Sequence, residues 1–400
     1  MKMSNTNFEP GAPVKSGGIP LCVPEIRGNE WVFVKECLDT NFVSSVGPFV
    51  GRFEREMAAY TGAKYGVATS TGTAALHIAL LVTGIKPDDE ILVSTLTFIA
   101  PVNAIRYVGA WPVFIDAEPS YWEMDPQKVR DFVEKDCSWE NGELRNRHTG
   151  RLVRAIMPVH ILGHPVDMDP ILEVARKYNL VVIEDATESL GAKYKENMIG
   201  RIGDIACFSF NGNKIITTGG GGMIVTDNEA FARKAKYLTT QAKDDPIEFV
   251  HNEIGFNYRL TNIQAALGCA QLEQLDTHIA AKRRIAETYT AALKDSPGLT
   301  PMLQADWAYS IFWMYTVLID EAKFTMNSRT LMAKLADKNI QTRPLWQPVH
   351  LSKAHQGSYT VDCSVAERLN REAISLPCSV GLKREEQACV IENIRTAFDR

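Results

Sequence analysis

The run FSFNGNKIITTGGGG, from Phe208 to Gly222, sets the reading of this chain. It leaves the β-rich segment Asp204–Phe210 and enters another at Gly222–Val225, with Lys214 between them. A lysine set between an apolar strand and four glycines stands among residues that promise burial. Partial burial lowers the proton affinity of an amine and makes it a better nucleophile, as Schiff-base chemistry requires. Two plainer readings stand beside this one. Lys214 also fits a snorkelling side chain at a strand end, and Gly219–Gly222 fit a tight bend between strands.

Working outward, short β-rich runs alternate with helical patterns. Lys64–Ser70, Glu90–Leu96, Trp111–Asp116, Arg154–Val159 and Leu180–Glu184 read as strands. Gly72–Thr83, Ile99–Val108 and Pro170–Lys177 read as helices. This alternation predicts an α/β fold with a mostly parallel sheet, whose ligands bind beyond the carboxyl ends of the strands. The charged segment Glu134–Arg151, with Asn141-Gly142 inside it, reads as an inserted surface hairpin. One long helix is expected over Asn262–Leu293, then a strand at Trp313–Ile319, a helix at Arg329–Lys338 and a strand at Ile340–Pro344. The chain is therefore expected to divide into an N-terminal segment with a large domain, 1–275, and a smaller α+β domain, 276–400.

Composition narrows the function. Of 400 residues 45% are hydrophobic and 23% charged, ordinary globular values. The net charge of 43 − 48 = −5 comes without a long basic run, which speaks against nucleic acid as a partner. Met1–Pro13 is polar and lacks the apolar core of a secretory signal. The apolar stretch Ala74–Ile85 is interrupted by His77 and Gly84 and is too short to span a bilayer. Eight cysteines without a CxxC pair read as reduced thiols of a cytoplasmic protein with no membrane partner. His160 and His164 have a helical metal-ligand spacing, but Gly163 and Pro165 argue against a helix there, so no metal is expected.

Two further fragments carry chemistry. Ser70-Thr71-Gly72-Thr73-Ala74-Ala75 ends a strand and opens a helix. The unpaired amides of a first helical turn suit a phosphate, and a Ser/Thr N-cap of a core helix reads equally well. Val182–Ala186 puts Asp185 at the end of an apolar strand. Asp185 fits a turn residue, or the partner of a protonated ring nitrogen, which keeps such a ring an electron sink. With Asp185 lying 214 − 185 = 29 residues before Lys214 and a phosphate turn far upstream, the set matches fold-type I enzymes of pyridoxal 5′-phosphate. The runs EDATESLG (Glu184–Gly191), FSFNGNK (Phe208–Lys214) and GFNYRLTNIQAALG (Gly255–Gly268) resemble the DegT/StrS family of nucleotide-sugar aminotransferases. The resemblance extends from about Pro20 to the end of the chain.

That resemblance implies an aspartate aminotransferase-like fold and a set of roles. Lys214 would carry pyridoxal 5′-phosphate as a Schiff base and shuttle the proton, and Asp185 would pair with the ring nitrogen. Phe98 would stack on the ring, while Gly72, Thr73 and Ser209 would hold the phosphate. Asn257 and Arg259 would reach that phosphate from a neighbouring subunit, making a homodimer with shared sites. Glu188 stands near the cofactor's phenolic oxygen, where many relatives carry Gln or His. Ser44, Ser45 and Gly47, and Trp346 and His350, match two substrate-facing loops, with a packing role for Trp346 equally open. The aromatic residues Trp307, Tyr309, Phe312, Trp313 and Tyr315 are expected in the core of the small domain.

The implied activity is transamination from L-glutamate to C4 of a nucleotide-linked 4-keto-6-deoxy sugar, in surface-glycan or nonulosonic-acid biosynthesis. Through Asn29–Ser45, the charged insert and the lysine run, the nearest resemblance is to enzymes of legionaminic-acid and bacillosamine-type pathways. These act on UDP-4-keto-6-deoxy-N-acetylhexosamines. GDP- or dTDP-linked 4-keto-6-deoxy sugars (perosamine-type chemistry) are the alternative. A sugar 3-dehydratase of the same scaffold would carry histidine where this chain has Lys214. A non-catalytic regulatory protein with the same residues is the third reading.

Overall fold

Runs of Val, Ile and Leu four to five residues long become strands that are buried on both faces, as in a sheet covered on each side. The structure, a computed structural model, describes residues 17–245 and 247–397, so the polar segment Met1–Pro13 lies outside the described residues. Eight strands form the large sheet: β1 (Tyr65–Thr69), β2 (Glu90–Ser94), β3 (Trp111–Ile115), β4 (Val153–Met157), β5 (Val181–Asp185), β6 (Ile205–Ser209), β7 (Gly222–Thr226) and β8 (Tyr359–Thr360). Their order is β1-β7-β6-β5-β4-β2-β3-β8. Every neighbouring pair is parallel except those made by β7, which runs antiparallel to both β1 and β6. The reversal follows from the connection. Residues 210–221 join β6 to β7 without a crossover helix, so the chain returns from the end it has just reached.

Helix α1 (Gly72–Val82) leaves β1 at that same end, and Thr71 caps it by accepting the Ala74 N–H at 3.0 Å. The single helix expected over Asn262–Leu293 is broken into α2 (Asn262–Leu272) and α3 (Leu275–Leu293). At the break the Gln274 N–H bonds back to Gln271 O, a three-residue step, and the Glu273 carboxylate accepts from Asn29 at 2.8 Å and Arg52 at 3.1 Å. The side-chain pulls at Glu273 have no trace in apolar periodicity.

Leu299–Pro301, Tyr315–Ile319 and Ala373–Leu376 build a separate antiparallel sheet. Ile340–Pro344 is not the strand expected of it. Ile340 bridges to Ile19 and Arg343 to Ser375, two different partners, so no continuous ladder forms. We propose the division into 1–275 and 276–400 on the break between α2 and α3, with β8 and Ile19 crossing it. The insert holds a hairpin, Cys137–Glu140 against Glu143–Asn146, with Asn141 and Gly142 at φ 53° and 78° as its two-residue turn requires. Among the described residues no helix is long and apolar enough to cross a membrane.

Candidate active site

A cleft of about 450 Å³ opens at the carboxyl ends of the strands. Most residues that line it come from the ends of β1, β5 and β6, the start of α1, the segment after β2 and the β6–β7 loop, with Trp313 and Trp346 added from later in the chain.

Its phosphate-sized corner is made by glycine. At Gly72, in the first turn of α1, an added Cβ would lie 2.7 Å from the Ser209 Cβ. Nothing larger than hydrogen fits there, so the first-turn amides, Thr73 and the Ser209 hydroxyl stay together on the cleft. At Gly222 a Cβ would meet Thr71 O at 2.4 Å, so the backbone of β7 packs hard against the turn that starts α1. This cradle and the carboxylate beyond it fit pyridoxal 5′-phosphate.

Asp185 is 1% exposed, and its Oδ1 accepts the Thr187 N–H at 3.1 Å. Burial pushes its pKa up, against the Thr187 bond and the nearby Lys214 charge. A protonated ring nitrogen beside it would supply the cation that burial leaves wanting. Lys214 is nearly buried, with Nζ 3.6 Å from Glu188 Oε1 and 4.2 Å from the centre of the Trp313 ring. Glu188 is also raised, burial outweighing the Lys214 charge, and its Oε2 accepts the Leu162 N–H at 2.9 Å. Leu162 holds a left-handed φ of 55° to present that N–H, a strained conformation of the kind found at working sites. The neighbouring Ile161 N–H bonds Glu123 Oε2 at 3.2 Å. Glu123 is buried, and burial drives its pKa well above the carboxylate range.

Phe98 lies on the cleft wall and is 56% exposed, leaving a ring face open for stacking. Trp346 lies on the wall too, partly buried. The aromatic cluster expected in the small-domain core is divided. Tyr315 is core, stacked on Tyr289 with centroids 5.1 Å apart. Trp307 packs against Tyr121, His164 and Tyr194, and Tyr309 lies at the surface under Arg283. Partly buried Phe312 keeps a tilted contact to Tyr315. Trp313 belongs to the cleft, its indole N–H donating to Asn213 O at 2.8 Å. Its role was hidden because an aromatic just before a strand looks the same whether it faces a core or a cleft.

Six expected residues do not line this cleft. His350 is turned to Thr95 Oγ1, 2.7 Å from Nδ1, and to Glu367, 3.3 Å from Nε2. Asn257 is exposed and bridges to Thr240. Ser45 and Arg259 line a separate cleft of about 210 Å³ with Lys236. Exposed Ser44 accepts the Asn262 N–H at 2.6 Å, and a Cβ at Gly47 would meet the Asn262 side chain at 2.3 Å. His160 and His164 serve the interior. His160 Nε2 lies 3.2 Å from Glu184 and its Nδ1 accepts the Val166 N–H, while His164 Nε2 accepts the Ala305 N–H at 3.1 Å. Burial lowers the His164 pKa to about 4, which keeps the ring neutral.

The same combination is found in known proteins. The chain is 40% identical over 383 residues to GDP-perosamine synthase of Caulobacter vibrioides, covering 96% of this chain and 98% of that one. It is 39% identical over 380 residues to GDP-perosamine synthase of Escherichia coli O157:H7, covering 95% and 98%. The crystal structure of S. venezuelae DesV in complex with a ketimine intermediate superposes with a TM-score of 0.83 at 30% identity, over 93% of this chain and 95% of that one. Residues 24–395 match the DegT/DnrJ/EryC1/StrS aminotransferases. The fold is accordingly that of the fold-type I pyridoxal-phosphate transferases. This chain belongs to the DegT/DnrJ/EryC1/StrS aminotransferase family and is a pyridoxal-phosphate-dependent aminotransferase of nucleotide-linked sugars.

Proposed function

We propose that the enzyme transfers the amino group of L-glutamate to C4 of a GDP-linked 4-keto-6-deoxyhexose. The supporting observation is the pair of near-full-length relatives at 40% and 39% identity, both GDP-perosamine synthases. They favour the GDP alternative over the UDP-4-keto-6-deoxy-N-acetylhexosamine that the sequence motifs put first. None of the motifs quoted above identifies the nucleotide base, so motif resemblance had little hold on that choice.

When bound, pyridoxal 5′-phosphate supplies the electron sink that labilises a C–H bond and carries the amine between substrates. In the proposed arrangement Gly72, Thr73 and Ser209 hold its phosphate and Asp185 keeps its ring nitrogen protonated. Lys214 Nζ moves the proton at the reacting carbon. Glu188, 3.6 Å from that amine, is proposed to orient it. Phe98 and Trp346 wall the cleft on the ring and sugar sides. Asn257 and Arg259 are proposed to act on the cleft of a second copy, since neither lines the cleft of its own chain. Ser44, Ser45 and Gly47 are proposed to travel with them, because Ser45 shares a surface with Arg259. No role is proposed for His350.

The test supplies glutamate with GDP-, UDP- and dTDP-linked 4-keto-6-deoxy sugars separately and follows 2-oxoglutarate. Turnover with the GDP sugar is expected to lead. Turnover confined to the UDP-N-acetyl or dTDP substrate overturns the proposal.

A further inference from the structure

Behind the lysine loop, outside the cleft, two sulfurs share one buried ammonium. Lys282, on α3 and 2% exposed, places Nζ 2.8 Å from Trp313 O, 3.4 Å from Cys22 Sγ and 3.6 Å from Cys378 Sγ. No carboxylate is among these partners. A buried lysine is ordinarily paired, and here the counter-charge must come from sulfur. Cys22 and Cys378 lie side by side, since the Cys378 N–H bonds to Leu21 O at 2.8 Å. Cys378 is 1% exposed, whereas Cys22 is partly exposed.

We propose that Cys22, Cys378 and Lys282 form a redox modification site in which Cys22 is the reactive thiolate, a peroxide is the oxidant and Cys378 closes a disulfide. The two thiols are not equivalent. The neighbouring Cys378 thiol, followed by the Lys282 charge, lowers the Cys22 pKa to about 6 against the effect of burial, with Lys214 adding to the pull. Cys378 moves the other way, kept a thiol by the neighbouring Cys22 and by burial, and its Sγ donates to Trp313 O at 3.7 Å. An attacking thiolate beside a resolving thiol is the arrangement that oxidation to a disulfide needs. In the first step the Cys22 sulfur attacks the O–O bond. A sulfur–oxygen bond forms, and hydroxide leaves and becomes water with the proton Cys22 had released. In the second step the Cys378 sulfur attacks that of Cys22, the sulfur–oxygen bond breaks, and a second water leaves with the Cys378 proton. Two thiols are oxidised and one peroxide is reduced. As a thiol Cys22 faces Asn213 O at 3.5 Å, one residue before Lys214, so the disulfide removes a partner from the lysine loop.

The test treats the pyridoxal-phosphate-loaded enzyme with hydrogen peroxide, blocks free thiols with iodoacetamide and maps peptides without reduction. A link between the Cys22 and Cys378 peptides, lost on adding dithiothreitol, is expected. In Cys378→Ala the same treatment should leave Cys22 as a sulfenic acid that dimedone traps. In the reduced enzyme, Cys22 alkylation should rise only about twofold from pH 6 to pH 8, against roughly 70-fold for free N-acetylcysteine in the same tube. Absence of the link, or a Cys22 profile as steep as that of N-acetylcysteine, overturns the proposal.

Discussion

Replacing Gly72 with alanine tests the phosphate cradle at its tightest point. The new methyl would lie 2.7 Å from the Ser209 Cβ, well inside contact distance. Ser209 cannot step back easily, because β6 is hydrogen-bonded between β5 and β7. The strain must therefore move the start of α1. Overpacking of this kind costs about 1–3 kcal/mol, and the part that separates the first-turn amides from Ser209 falls on phosphate binding. A loss of about 1.4 kcal/mol there is a tenfold rise in Kd. The assay titrates the variant with pyridoxal 5′-phosphate and, in parallel, with pyridoxal, which lacks the phosphate. Affinity for the phosphorylated form should fall about tenfold or more, with pyridoxal little changed, and the unliganded protein should melt earlier. Gly212→Ala, where an added Cβ meets nothing within 4 Å, is the control and should stay within about 0.5 kcal/mol of the parent. Parental affinity and melting temperature in Gly72→Ala would refute the close approach of Gly72 to Ser209 as the reason for glycine.

Three other outcomes are expected. Lys214→Ala should fold and bind the cofactor without being fixed to it by borohydride, and should lose transamination; full steady-state activity would remove Lys214 from its role. Mixing inactive Lys214→Ala with inactive Arg259→Ala subunits should partly restore activity, because one mixed site then keeps both residues, whereas a fully active monomer on sedimentation would end the shared-site proposal. Glu123 tests the buried carboxyl that accepts the Ile161 N–H. Its folded pKa is raised, so stability is fullest below the unfolded value near 4.3 and declines as pH climbs toward the folded one. The melting temperature of Glu123→Gln relative to the parent should therefore improve as the pH rises from about 4 toward the raised folded value, and a pH-independent difference would contradict the burial argument.

What could be read beforehand depended on whether the deciding forces were local. Val182–Asp185 and Ile205–Ser209 announce themselves as buried strands through their own composition, and they carry Asp185 and Ser209 to the cleft. Thr71-Gly72 likewise holds its own capping geometry. The reversal of β7 is not written in Gly222–Thr226, since an apolar run reads alike in either direction. The break after Leu272 depends on Asn29 and Arg52, more than two hundred residues earlier in the chain. Trp313 became a cleft residue through Asn213, and His350 was drawn to Thr95 and Glu367. Each of these depends on a partner that sequence spacing does not name.

The reversed strand β7 also bears on what this chain can tolerate as it diverges. The loop carrying Lys214 is moored at both ends in adjacent strands of one sheet, on β6 and on β7. A parallel connection would pass through a helix at the far side, where an inserted or deleted residue can be absorbed by sliding or fraying a turn. Between Ser209 and Gly222 there is no such slack, because both ends are registered to each other by the β6–β7 ladder. Changing the length of residues 210–221 by one would displace the lysine or slip the ladder and turn buried Met223, Ile224 and Val225 to the wrong faces. Substitutions can accumulate in this loop, but gain or loss of a residue should be among the rarest events to survive there.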